Sequence, residues 1–108
     1  MLQSQPNELT EQCVVDPELP KEILFEIRAF EAKCNDTLAK KRVDYGTANI
    51  NMTGVHGVAI RMLDKVCRLV NLTKSDTQII HNESLEDTLL DIRNYVMIAK
   101  VMRAKGQW

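Results

Sequence analysis

Residues 83–102 read ESLEDTLLDIRNYVMIAKVM, and the fold follows from how the apolar positions of this stretch repeat. Leu85, Leu89, Ile92, Val96 and Ala99 have the spacing of one face of an α-helix, while Leu90, Met97 and Val101 line another side. A helix apolar on two sides in so short a chain calls for burial by more than one neighbour. The expected span is about 84–104, ending before Gly106. Ser84 with Asp87 resembles a capping box with Asp in place of Glu, and Asn82 is a competing N-cap.

Working outward, Val55, Val58, Ala59, Met62, Val66, Leu69 and Val70 mark a preceding amphipathic helix over about 55–72. Its opposite side carries Arg61, Asp64, Lys65 and Arg68. Before it, residues 44–54 hold Asp44-Tyr45-Gly46 and TANINMT, a run whose Asn, Thr and Gly favour a loop through local hydrogen bonding and permissive dihedrals. Earlier still, Ile23, Ile27, Phe30, Cys34 and Leu38 recur at intervals of four, three, four and four, predicting a first helix over about 21–42. Lys40, Lys41 and Arg42 crowd its last turn, where cations complement the C-terminal dipole. Residues 1–19, with Pro6 and Pro17, show no sustained period and read as an irregular arm, with room for one short turn around 8–13.

The expectation is therefore an all-α protein: an arm over 1–19 and one helical domain over 20–108, its three helices forming a bundle. A chain of 108 residues leaves few positions enclosed on all sides, so completion by homo-oligomerisation is expected. Hydrophobic residues at 44% and charged residues at 27% describe an ordinary soluble composition. No run approaches the roughly 18 to 20 apolar residues of a membrane span. The first twenty residues lack the basic and apolar regions of a secretory signal, so a cytoplasmic location with no membrane partner is expected.

Composition also narrows the chemistry. Fourteen basic and fifteen acidic residues give a net charge of −1, without the basic excess that a polymeric nucleic-acid binder needs. Cys13, Cys34 and Cys67 are widely spaced, and with only His56 and His81 no zinc pattern can be assembled. They read as reduced, structural cysteines. Walker-type GxxxxGK(S/T), GxSxG and HExxH motifs do not occur. His56, in the Gly54-Val55-His56-Gly57 entry to the second helix, has no obvious nucleophilic partner, and Trp108 reads as a packing detail.

What remains is a constellation of charge. Glu83, Asp87 and Asp91 stand at i, i+4 and i+8, with Asn94 three residues on, so the four drift only slowly around one face. Glu83, Glu86 and Asp87 suit a helix N-terminus; Asp91 lies two turns in and interrupts the most apolar stretch. Two explanations stay open: Asp91 pairs with a basic residue of the second helix, or the three acids hold a divalent cation. Mg²⁺ commonly takes one or two carboxylates plus phosphate oxygens. Arg61, Lys65 and Arg68 would supply the complement, neutralising phosphates. The plain alternative is a solvated face with pairs such as Asp64–Arg68. Tyr45 is a candidate for stacking on a base.

The ordered set DYG at 44–46, GVAIRMLDKVCRLVNL at 57–72 and ESLEDTLLDIRNYVMIAK at 83–100 resembles the nucleotide modification associated domain 1 family, small proteins found largely in phages and prophages. Arg61, Asp64, Lys65 and Arg68 fill its second segment, and Glu83, Ser84, Asp87, Thr88, Asp91, Asn94 and Tyr95 its third. The carboxylate helix also resembles those of the all-α MazG-like pyrophosphohydrolases, although Arg61, Asp64 and Lys65 stand where that superfamily has paired glutamates. The resemblance implies a protein of nucleotide metabolism in the bacteriophage setting, acting in the host cytoplasm if phage-encoded. Its expected ligand is a deoxynucleotide phosphate with Mg²⁺, undergoing phosphoryl transfer or phosphoanhydride hydrolysis. In that scheme Glu83, Asp87 and Asp91 hold metal, Arg61, Lys65, Arg68, Tyr45 and Asn94 bind nucleotide, and Asp64, Lys65 and Asp91 act in catalysis. The alternatives are a non-catalytic nucleotide-sequestering protein and a helical protein-interaction module.

Overall fold

The computed structural model describes residues 18–74 and 82–108, with the backbone alone for 82–84. Among the described residues there are three helices: α1 over Lys21–Tyr45, α2 over Ala48–Lys74 and α3 over Asn82–Lys105. No strand occurs among the described residues. The arm up to residue 17, its expected turn at 8–13, Cys13, His81, the Ser84 cap and the Glu83 side chain lie outside what is described.

α3 is the central element. It packs most extensively against α2 and more sparsely against α1. Its buried positions are Thr88, Leu90, Asn94, Ile98 and Met102, the last four at strict intervals of four. Ile98 and Met102 join Ile50 and Val58 of α2 in the core, with Leu38, Met62, Tyr95, Ala99 and Trp108 packed around them. Each fully buried aliphatic side chain contributes about 1.5–3 kcal/mol. Of this line the sequence pattern names only Leu90; Leu89, Val96 and Met97, which it assigns to the apolar faces, stand exposed, and the buried line runs through a polar residue. Asn94 is accommodated because its Nδ2 donates to the Cys34 carbonyl of α1 at 3.1 Å and its Oδ1 accepts from Arg93 at 3.0 Å. This bond fixes where α1 crosses α3.

α1 runs three residues beyond the expected end, and the Gly46 amide closes it by donating to the Arg42 carbonyl at 3.0 Å. Only the lower part of its apolar stripe is enclosed. Cys34 is fully buried and Leu38 and Phe30 partly so, whereas Ile23 and Ile27 stand about half exposed. Burial pushes the Cys34 thiol above its usual range, against the opposing pull of Arg93 and Lys33. Cys34 and Cys67 are both free thiols.

The largest departure from the sequence pattern is at 48–53, expected as loop and found as helix. Ile50 is the reason: it is buried against Val58, Ile98 and Met102, and tertiary packing overrides the weak local propensity of its Asn and Thr neighbours. The Thr53 hydroxyl, free to compete with the backbone, donates instead to the Asn49 and Ile50 carbonyls of the same turn. Helical dihedrals then break at Gly54, with φ 71° and ψ −167°, a region open in practice only to glycine. α2 resumes at Val55 as the pattern predicts. The break pinches the chain so tightly that a Cβ on Gly57 would collide with the Thr53 side chain.

Candidate functional site

Three helices place charge around one carboxylate. Asp91, at the middle of α3, accepts from Lys41 Nζ of α1 at 3.2 Å through Oδ1 and from Lys65 Nζ of α2 at 3.0 Å through Oδ2. The Asp91 side chain is 20% exposed, Lys65 30% and Lys41 52%, so the cluster sits at the rim of the fold rather than in bulk water. Both carboxylate oxygens are engaged, which accounts for an acid that lies two turns into the helix and interrupts its most apolar stretch.

Beside the cluster lies a cavity of about 210 Å³. Lys41, Arg42 and Tyr45 come from the last turn of α1, Asn49, Ile50 and Arg61 from α2, and Asp91, Asn94, Tyr95 and Ile98 from α3. Gly46 and Leu38 complete the α1 side, and Trp108 forms a further wall. Trp108 is held by its backbone: its N–H donates to Asn51 Oδ1 at 2.6 Å, and its carbonyl accepts from Asn51 Nδ2 at 3.2 Å. The Arg42 guanidinium lies 5.2 Å from the centre of its indole. Among the described residues the cavity and its rim thus carry Lys41, Arg42, Arg61 and Lys65 against the single acid Asp91, with apolar surface from Leu38, Ile50 and Ile98 and aromatic surface from Tyr45, Tyr95 and Trp108. Such an arrangement suits a flat, partly apolar ligand bearing negative charge.

A family model for nucleotide modification associated domain 1 matches residues 41–102, more than half of the chain. The chain belongs to that family. No curated protein and no solved structure matches it significantly. The family's span takes in every charged residue at the cavity and leaves out Leu38 and Trp108.

Of the residues singled out in the sequence, Tyr45, Arg61, Lys65, Asp91 and Asn94 gather at this cavity or its rim. Asn94 spends its amide on the Cys34 carbonyl and on Arg93, so its part is to hold the wall. Asp64 and Arg68 line a separate shallow cleft with Cys67, Asn71 and Leu72. Asp87 is exposed one turn before Asp91, and His56 is exposed on α2 away from the cavity. Among the described residues no group of three His, Cys, Asp or Glu side chains comes together to hold a metal ion.

Lys41, Arg42 and Trp108 were not singled out as site residues by the sequence reading. The KKR run at 40–42 had an adequate local explanation in the helix dipole, and only the proximity of Asp44-Tyr45-Gly46 hinted at more. Trp108, a single aromatic far from every motif, is both core packing and cavity wall.

Proposed function

We propose that this cavity binds a deoxynucleotide phosphate, with the phosphate on Lys41, Arg61 and Lys65 and the nucleoside against the aromatic wall. The reading rests on one observation: cations from α1 and α2 converge on the Asp91 carboxylate of α3 at the mouth of a cavity that also has aromatic walls. Membership in a family named for nucleotide modification supports it. Arginine offers a planar fork to phosphate and lysine a mobile charge, so the cluster has both modes of recognition. The cavity, at about 210 Å³, is smaller than the roughly 300–1,000 Å³ of a drug-sized site, so part of a bound nucleotide would stay outside it.

Mg²⁺ would enter with the phosphates, as it usually does where the protein offers one or two carboxylates. Asp91, with Asp87 one turn before it, are the described residues that would hold it, and they form no cage without a ligand. The cation's contribution would be charge neutralisation during phosphoryl transfer or phosphoanhydride hydrolysis.

Calorimetric titration with a panel of deoxynucleotides, with and without Mg²⁺, tests the reading. Binding is expected, and Arg61→Ala weakens it about 10- to 100-fold, the usual loss for a charge-assisted phosphate contact. Product formed only with Mg²⁺ makes the protein an enzyme. Ligand recovered unchanged makes it a sequestering protein. No binding to any nucleotide sinks the proposal.

Self-association belongs to the same proposal. Ile60, Leu63, Val66 and Val70 of α2 and Leu89 and Val96 of α3 are 36–58% exposed, on sides of these helices that no described element covers. Glu86 near the start of α3 and Lys100 and Arg103 near its end put opposite charges at the two ends of that helix. A second copy running antiparallel would bring those ends together. Sedimentation at micromolar concentrations is expected to give a dimer, and Leu63→Lys with Val96→Lys a folded monomer. A wild-type monomer under the same conditions would remove the dimer from the account.

A further inference from the structure

Trp108 is placed with more care than a packing residue requires. Asn51 grips its backbone from both sides, donor to carbonyl and acceptor to N–H, at 3.2 and 2.6 Å. Asn51 does not itself line the cavity, so the grip acts only through what it positions. The indole is partly buried against the core and carries the Arg42 guanidinium 5.2 Å from its centre. A cation over an indole is a weakly bound occupant of a flat apolar surface. The phosphate-binding cations Lys41 and Arg61 stand on the same cavity.

We propose that Trp108 is the base-stacking platform of the cavity, that Arg42 is the occupant a nucleobase displaces, and that Asn51 is the residue that positions the platform. The inference rests on the nucleotide reading and goes beyond it, because it assigns recognition of the base to a residue outside the family's matched span of 41–102. On leaving the indole, Arg42 stays within reach of the cavity mouth, where a phosphate is the natural new partner for its guanidinium. Every base has a π-face, so the platform selects nucleotides over other phosphates and discriminates little among the bases.

The test compares a deoxynucleoside monophosphate with deoxyribose 5-phosphate, which lacks only the base, on the full chain. Trp108→Ala is expected to weaken the nucleotide about 5- to 150-fold, the range for losing one base–aromatic stack, and to leave the sugar phosphate unchanged. Trp108→Phe should restore most of the difference, and Asn51→Leu should reproduce the alanine pattern without touching the cavity. As Trp108 is the single tryptophan of the chain, its fluorescence reports the displacement of Arg42 directly in the wild type. Equal loss for both ligands in Trp108→Ala and Trp108→Phe, or no loss for either, overturns the inference while the nucleotide reading stands. Failure of the wild-type protein to bind either ligand overturns both.

Discussion

Gly57→Ala is expected to lower the unfolding free energy by about 1–3 kcal/mol, the cost of forcing a methyl group into occupied space. The sign is what makes the result informative. At an ordinary position inside a helix, exchanging glycine for alanine stabilises by about 1 kcal/mol. Here the non-helical dihedrals of Gly54 fold the segment 48–53 back so that Thr53 occupies the place of a Gly57 Cβ. Neither partner has an easy escape, because the contact involves Thr53 Cβ as well as Oγ1, and the hydroxyl is already bonded to the Asn49 and Ile50 carbonyls. For a domain of this size 1 kcal/mol corresponds to about 4–8 °C, so a thermal melt resolves the change. Thr53→Gly in the Gly57→Ala background should recover much of the loss, and the coupling between the two substitutions measures the contact. The consequence reaches the site. Segment 48–53 carries Asn49 and Ile50 of the cavity wall and Asn51, which holds Trp108. A variant that melts lower should therefore also bind nucleotide less tightly. An unchanged or higher melting temperature would mean that the chain does not turn at Gly54 as described.

How the helices and the site could be read from the sequence depends on which force set each of them. α3 and the later part of α2 were legible because their positions are set by hydrophobic burial, which leaves a period in the sequence. Segment 48–53 was not, since its helix hangs on one residue, Ile50, whose burial no local pattern announces. The line of burial on α3 was half visible. Leu90 was read as apolar face, but the main stripe was set through Leu89 and Val96, which are exposed, because Asn94 looks polar until the crossing of α1 brings the Cys34 carbonyl opposite its amide and turns the 90–102 line inward. The candidate site shows the same division. A basic partner for Asp91 on α2 was one of two readings open in advance, because an acid inside an apolar helix needs compensation, and Lys65 is that partner. That Asp91 takes a second partner from α1 required the crossing itself. Asp64 and Arg68 share a helix face with Lys65 closely enough to be grouped by spacing, yet the turn of α2 carries them to another cleft. Spacing decides the face and packing decides the neighbours. Trp108 is the extreme case, a residue whose backbone is held by Asn51 from 57 positions away in the sequence.

Asp91→Ala separates the two roles that this carboxylate can have. As the shared partner of Lys41 and Lys65 it ties all three helices, and its removal leaves two ammonium groups facing each other. Exposed ion pairs are worth about 0–1 kcal/mol, and breaking a buried one costs about 3–5 kcal/mol. With the side chains at 20%, 30% and 52% exposure the loss should fall between, at about 2 kcal/mol. Repulsion between the two lysines is screened by salt, so the destabilisation should shrink as ionic strength rises. Pyrophosphate can take the place of the missing carboxylate. If Asp91 serves to hold the two lysines, pyrophosphate should bind the alanine variant several-fold more tightly than the wild type and raise its melting temperature further, with or without Mg²⁺. Asp91→Asn, which keeps the shape but not the charge, should show the same tighter binding. If Asp91 instead carries Mg²⁺ to the phosphates, both variants should lose the Mg²⁺-dependent part of binding, and any turnover should fall with it. The sign of the change in pyrophosphate affinity decides the matter, because a competing anion and a metal ligand push it in opposite directions.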